Sequence, residues 1–172
     1  MILLINKAKV SSLLRVAIGV DESEFNKFIE EAQKFDLKPL VCEEFFYDLL
    51  ENKDTEPWKK LIDGGDYEFN SRTYYHEGIS GVLSYFAYAR FFLEGNNTST
   101  SFGIVQKTTP HSTPVELAER KNTYYDKKKN ANDLFEDVKK FIERNESDYP
   151  SWKCGSSCGG SEKSKFNSYV IK

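Results

Sequence analysis

The chain is poor in the residues that most often carry chemistry. Of its 172 residues, three are cysteine, two histidine, two tryptophan and one methionine. Three cysteines (Cys42, Cys154, Cys158) form no even disulfide framework, so a reducing compartment is the default expectation. His76 and His111 stand in different loops with no evident carboxylate or nucleophile beside them, which favours ordinary loop histidines over catalytic ones. There is no glycine-rich phosphate loop, no HExxH and no GxSxG. Glu30-Glu31, Glu43-Glu44 and Asp66 read as solvated carboxylates. No catalytic, cofactor-binding or metal residue is assigned, and no enzyme activity is expected. Cys154 and Cys158 could offer two thiolates to zinc, but a structural site takes four ligands and CxxxC alone is a weak signal. A disulfide between them is an equal alternative.

Long apolar runs are also missing. Met1-Ile-Leu-Leu-Ile5 is broken by Lys7 and Lys9, so no secretory leader is expected. The most apolar later segment carries Arg90 and is too short to span a bilayer, so no membrane partner is expected. Basic excess is lacking too: 24 lysines and arginines face 27 acids, a net charge of −3, which argues against a nucleic-acid binder held by bulk charge. Charge is nonetheless uneven. Residues 21–56 hold twelve acids against four bases, and residues 153–172 four bases against one acid. An acidic segment and a basic tail suggest docking, copy to copy, against the plainer reading of solvated faces.

What is abundant is aromatic: 13 phenylalanines and 10 tyrosines. The length fits one domain with a sizeable core. Its organising stretch is 78–94, bounded by Gly78 and Gly95, with Ile79, Val82, Leu83, Phe86, Ala89 and Leu93 at helical spacing. The opposite face carries Tyr85, Tyr88 and Phe92, so this helix must be covered all round, by its own domain or by a neighbouring chain. Gly81, Ser84 and Ala87 form a small-residue ridge that another backbone could approach, with Gly81 the expected close contact.

Taken in order, an extended arm leads to a short helix near 10–16. A second helix from Glu22 to Phe35 starts at Asp21, and a third runs from Pro39 to Asn52 after a break at Lys38-Pro39. Cys42 reads as a small buried hydrophobe. A short helical piece follows Pro57, and 66–75 alternates as a β-hairpin around Asn70-Ser71. Residues 96–110 read as a long, polar, extended loop with one short, apolar, β-like island, Phe102-Gly103-Ile104-Val105, which is expected to touch a neighbour. The last helix is placed with Thr113 as cap, Pro114 first and Glu116 third, running to Glu146 as a rod of about 50 Å. Leu117, Tyr124, Ala131 and Val138 recur every seven residues, but the companion position changes from Lys121 and Lys128 to Phe135 and Ile142. So the C-terminal half should pack on the core, while the half edged by Lys127 and Lys128 either projects or packs in the same domain. Residues 1–152 therefore form a mainly α domain, a small helical bundle with one long C-terminal helix, a hairpin and an extended loop. Residues 153–172 form a Gly/Ser/Cys tract and an interaction tail, with Phe166, Tyr169, Val170 and Ile171 strand-like.

Tyr85-Phe-Ala-Tyr-Ala-Arg90 on a buried helix, Thr100-Ser-Phe-Gly-Ile-Val-Gln-Lys107, a long helix with Tyr124-Tyr125, and Tyr149-Pro-Ser-Trp152 together form a familiar order. Over residues 10–152 this order resembles the head–tail connector (adaptor or ring) proteins of tailed bacteriophages, closest to those of crAss-like phages infecting Bacteroides. The resemblance implies a structural virion protein, assembled in the host cytoplasm into a ring, typically a dodecamer, beneath the portal. Copies of itself, the portal and adjoining neck or tail rings would be its partners. Double-stranded DNA would pass through without sequence-specific binding. The Cys/Gly-rich tail departs from the family pattern, leaving its partner open. A monomeric phage or bacterial regulatory protein that binds one host partner is the alternative, and a small metal-binding protein a third reading.

Overall fold

The computed structural model describes residues 2–95, 97–101, 103–106 and 115–152. The fold is mainly helical, with one long C-terminal helix and an antiparallel hairpin, as the periodicities indicate.

The amino-terminal segment is extended and is held by one side chain. Gln33, fully buried, accepts a hydrogen bond from Leu4 N (2.7 Å) and donates from Nε2 to Ile2 O (3.0 Å), as a neighbouring strand would. Helix α1 (Lys7–Leu13) begins three residues earlier than its apolar residues suggest, because Asn6 caps it by accepting from Lys9 N at 3.0 Å. Helix α2 (Glu22–Ala32) starts at Asp21 as expected, its carboxylate accepting from Glu24 N at 2.9 Å. It buries Phe25, Ile29 and Ala32.

The expected break at Lys38-Pro39 does not occur. The chain stays helical from α2 through a π-helical turn (Gln33–Leu37) into α3 (Lys38–Val41). Proline's ring normally clashes with the carbonyl four residues back, and a wider turn moves that carbonyl away. The break comes at Cys42, with φ +60°, which separates α3 from α4 (Glu43–Glu51). Cys42 marks this corner and is half-buried, not the fully buried small hydrophobe expected.

Helix α5 (Trp58–Asp63) leads into β1 (Gly65–Phe69) and β2 (Arg72–His76), paired antiparallel from Gly65–His76 to Phe69–Arg72. Asn70 and Ser71 are the two loop residues, both at positive φ, the backbone a two-residue hairpin turn requires. Helix α6 (Gly78–Glu94) has the expected bounds, and ten of its 17 residues are buried. Its cover comes from its own chain: α1, α2, α5 and α7 pack around it.

After α6 the structure departs from the loop expectation. Strands β3 (Asn97–Thr100) and β4 (Gly103–Gln106) pair as a second hairpin, Thr100 opposite Gly103. The first strand is entirely polar, so no apolar alternation announces it. Helix α7 (Leu117–Arg144) then runs 28 residues, about 42 Å. It does not start at Pro114: Glu116 lies in extended backbone (φ −58°, ψ 147°) at the cap position. Thr113 and Pro114 lie outside the described residues, as do Phe102, His111, Cys154, Cys158 and the tail with Phe166, Tyr169, Val170 and Ile171.

The chain closes on aromatic stacking. Phe45 contacts Trp58 (ring centroids 5.1 Å) and Trp152 (5.0 Å), and Trp58 contacts Tyr149 (5.4 Å), whose hydroxyl donates to Pro57 O at 3.0 Å. Thus Tyr149 and Trp152 bring the end of the domain back onto α4 and α5. The root of the first hairpin is equally tight. Gly64 (φ +80°) and Gly78 (φ +70°) face each other, and a Cβ on Gly78 would lie 2.4 Å from Ile62 O and 2.5 Å from Gly64 N. We expect Gly78→Ala to lower stability by about 3 kcal/mol or more, since strained φ and backbone overlap add. Denaturant unfolding checks this; an unchanged midpoint would show that the α5–α6 crossing can relax.

Candidate interaction surface around the long helix

The charge chemistry of the domain converges on one carboxylate. The π-helical turn aims Asp36 inward, where its side chain is buried. Arg90 Nε of α6 donates to Asp36 Oδ2 at 2.7 Å, and Lys128 Nζ of α7 lies 3.0 Å from Asp36 Oδ1. Arg90 also reaches Glu31 at 3.4 Å and lies 5.5 Å over the Phe35 ring. Burial opposes the Lys128 charge, but the hydrogen bond and charge of Asp36 outweigh it and raise the lysine's pKa. Two cations on one carboxylate thereby pin α2, α6 and α7 together. Lys128, expected at a partner contact, pairs with Asp36 within the chain and leaves its side chain 38% exposed.

Helix α7 itself has two halves. In the C-terminal half Ala131, Phe135, Val138, Phe141 and Ile142 are buried, as the full stripe predicts. Arg144 near its end lies 4.1 Å over the Tyr74 ring and donates to Tyr67 Oη at 2.7 Å, seating the helix on the first hairpin. In the N-terminal half most side chains face water: Leu117 is 55% and Tyr125 66% exposed, with Lys121 and Lys129 exposed beside them. Arg120 is the exception, buried with Nε and Nη2 lacking hydrogen-bond partners among the described residues. Val105 on β4 and Val115 ahead of the helix are exposed as well, and the second hairpin packs chiefly on itself.

The expected contact residues divide accordingly. Tyr85 and Tyr88 are half-buried on α6; Lys127 lies 6.0 Å over Tyr85, and Tyr88 packs on Phe91 and Phe92. Tyr85 also lines a shallow groove of about 280 Å³ between α6 and α7, with Asp133 and Asp137 opposite. Gly81 is buried, and a Cβ there would lie 2.6 Å from Cβ of Glu77, one turn back. Gly103 has φ +124°, and among the described residues nothing lies within 4 Å of a Cβ placed on it; Ile104 follows it in β4.

Two surfaces of opposite character result. One is the α2–α4 side, rich in exposed acids and showing Phe35 (63% exposed) and Tyr47. The other is the N-terminal half of α7 with Leu117, Lys121, Tyr125 and Lys129. Asp36, Gln33 and Phe35 carry no local sign of these roles, because their partners lie 29 to 92 residues away. Among the described residues no cluster of three or more His, Cys, Asp or Glu could hold a metal ion, and no helix is long and apolar enough to cross a membrane. His76 is not a loop histidine: it is 1% exposed, stacks on Phe141 at 4.2 Å, and neither ring nitrogen has a hydrogen-bond partner among the described residues.

A protein-family model described as "Family of unknown function (DUF6712)" matches residues 37–162. No curated protein and no solved structure matches the chain.

Two measurements test this arrangement. Asp36→Asn should cost about 2 to 3 kcal/mol, less than for a fully buried pair because the Lys128 side chain is 38% exposed. Lys128→Met should cost less, since Arg90 still neutralises Asp36. Burial, reinforced by the Lys60 charge, pushes the His76 pKa from 6.5 down to about 4, against a weaker pull from Asp137. Unfolded chain takes up the proton near pH 6.5 and folded chain only near pH 4, so stability should fall with pH across that window, by up to about 3 kcal/mol. His76→Phe should remove that part of the acid loss, read as the difference in melting temperature between pH 7 and pH 4.5.

Proposed function

The chain belongs to the DUF6712 family, and from the surfaces it presents we propose that it is a structural virion protein. In this reading it forms an oligomeric ring between portal and tail and extends the channel through which DNA passes. The observation that carries it is the divided long helix. Half of α7 anchors the domain, and half stands out with Leu117 and Tyr125 exposed.

Ring formation joins two different patches of each copy, one patch meeting the other on the next subunit. The acidic α2–α4 side with Phe35 and Tyr47, and the basic, aromatic start of α7, supply such a pair of patches. Their opposite charge favours one register and disfavours like patches meeting. The β3–β4 hairpin, with Val105 exposed, offers an apolar contact suited to an adjoining ring. A net charge of −3 suits a channel in which DNA must slide, since a dense array of cations would hold its phosphates.

The full-length protein, alone and with its portal, should run far above its monomer mass of 19.9 kDa in size exclusion with light scattering, and electron micrographs should show closed rings. Leu117→Glu combined with Tyr125→Glu should abolish assembly and leave the melting temperature nearly unchanged, because exposed substitutions seldom move stability by more than about 0.5 kcal/mol. A monomer under every condition, portal included, would overturn the reading in favour of a protein acting singly on a partner.

A further inference from the structure

The loop of residues 14–21, between α1 and α2, carries the most exposed large apolar side chain among the described residues, Ile18 at 98%. This loop is fixed. Lys7 Nζ of α1 donates to Ile18 O at 3.2 Å and to Val20 O, and Val20 N donates to Ala17 O at 3.2 Å, closing a turn with Ile18 and Gly19 at its tip. A single exposed aliphatic residue needs no explanation. One held at a rigid tip is different, because little backbone freedom remains to be lost when a partner covers it.

The same chain presents a place that fits such a tip. The groove of about 280 Å³ between α6 and α7 is lined by Tyr85 and Leu134 on its apolar side and by Asn130, Asp133 and Asp137 on its polar side. We propose that Ile18 of one copy seats in this groove on the next copy, with Arg15 beside Asp133. Residues 1–20 hold three bases and no acid, and Arg15 is exposed without an ion pair among the described residues. Across the groove, Lys140 already pairs with Asp137 at 2.9 Å, while Asp133 has no ion pair among the described residues. No residue of the loop lines the groove, so the contact is not made within one copy.

One side chain in one groove buries too little to hold two copies by itself. The inference therefore rests on the assembly proposed above and gives it a second point. Leu117, Lys121, Tyr125, Lys129, Asp133 and Asp137 follow at four-residue steps, so the groove rim continues the exposed stripe of α7. That stripe is basic at its start and acidic at the groove. The facing side is acidic along α2–α4 and basic in the loop that leads into α2. Two charge contacts of opposite sense fix direction and register where one alone would fix neither.

Crosslinking and self-association of the full chain test this. With Cys42, Cys154 and Cys158 replaced by serine, a chain carrying Ile18→Cys and Asn130→Cys should give a ladder of dimers and higher species with a short bis-maleimide, and neither single variant should. In light scattering, Ile18→Asp should weaken self-association about tenfold or more at an unchanged melting temperature. Asp133→Lys should weaken it less, and adding Arg15→Asp to that variant should restore it. Assembly unchanged in Ile18→Asp, or rings that give no crosslink, would overturn this contact and leave the ring standing. A ladder without closed rings, portal included, would do the reverse. Dimers from Ile18→Cys alone would overturn it as well, since they report a two-fold contact, and so would a crosslink to the portal only.

Discussion

The structure depends on covering a helix that is apolar on nearly every side. Helix α6 has no face it can leave in water without exposing aromatic or aliphatic surface, at roughly 25 cal/mol per Å². Four other helices are arranged to meet that demand. Small residues make the arrangement tight. Gly81 accommodates the side chain of Glu77, and Gly64 and Gly78 let the strand-to-helix crossing close without a Cβ between the backbones. Within the chain the cover is close to complete over the first half of the helix, with Tyr85, Tyr88, Phe91 and Phe92 left half-buried.

Hydrophobic cover alone does not choose the angle at which α7 lies on α6. Asp36 does, by drawing Arg90 from α6 and Lys128 from α7 to one carboxylate. A buried charge must be paired, so only helix positions that bring both cations within reach are allowed. That restraint sits at the midpoint of α7, where buried apolar residues give way to exposed ones. The division of the helix into anchored and exposed halves is the same event seen from two sides, and the proposed assembly surface begins where the charge restraint ends. The putting of Asp36 on a π-helical turn follows from Pro39, which the wider turn admits into a continuous helix.

His76 shows a similar economy in the first hairpin. Its ring serves as an aromatic filler between Tyr67 and Phe141, at the expense of two unpartnered nitrogens. The domain accepts sensitivity to acid there in exchange for continuous packing between hairpin and α7. Ser80 carries an unpartnered group of a different kind, a buried hydroxyl with no hydrogen-bond partner among the described residues.

Local order was legible in the residues themselves. The bounds of α6, the start of α2 at Asp21, the Asn70-Ser71 hairpin and the change of character along α7 all follow from short-range spacing, capping and turn chemistry. Boundaries that turn on backbone detail were not legible. Pro39 reads as a helix stop, Glu116 as the third residue of a helix and Asn97–Thr100 as loop, because each has a second conformation of similar local energy. Which one is adopted depends on what packs against it. The sequence by itself thus determined a single helical domain built on residues 78–94, with a long helix only half of which is apolar enough to bury. Tertiary structure alone decided that Asp36 would be the meeting point of three helices, that Gln33 would hold the amino-terminal segment, and that Tyr85, Asp133 and Asp137 would share one groove. Those groupings join residues 29 to 92 positions apart, and no local pattern encodes a contact whose partner is set by how the helices stack.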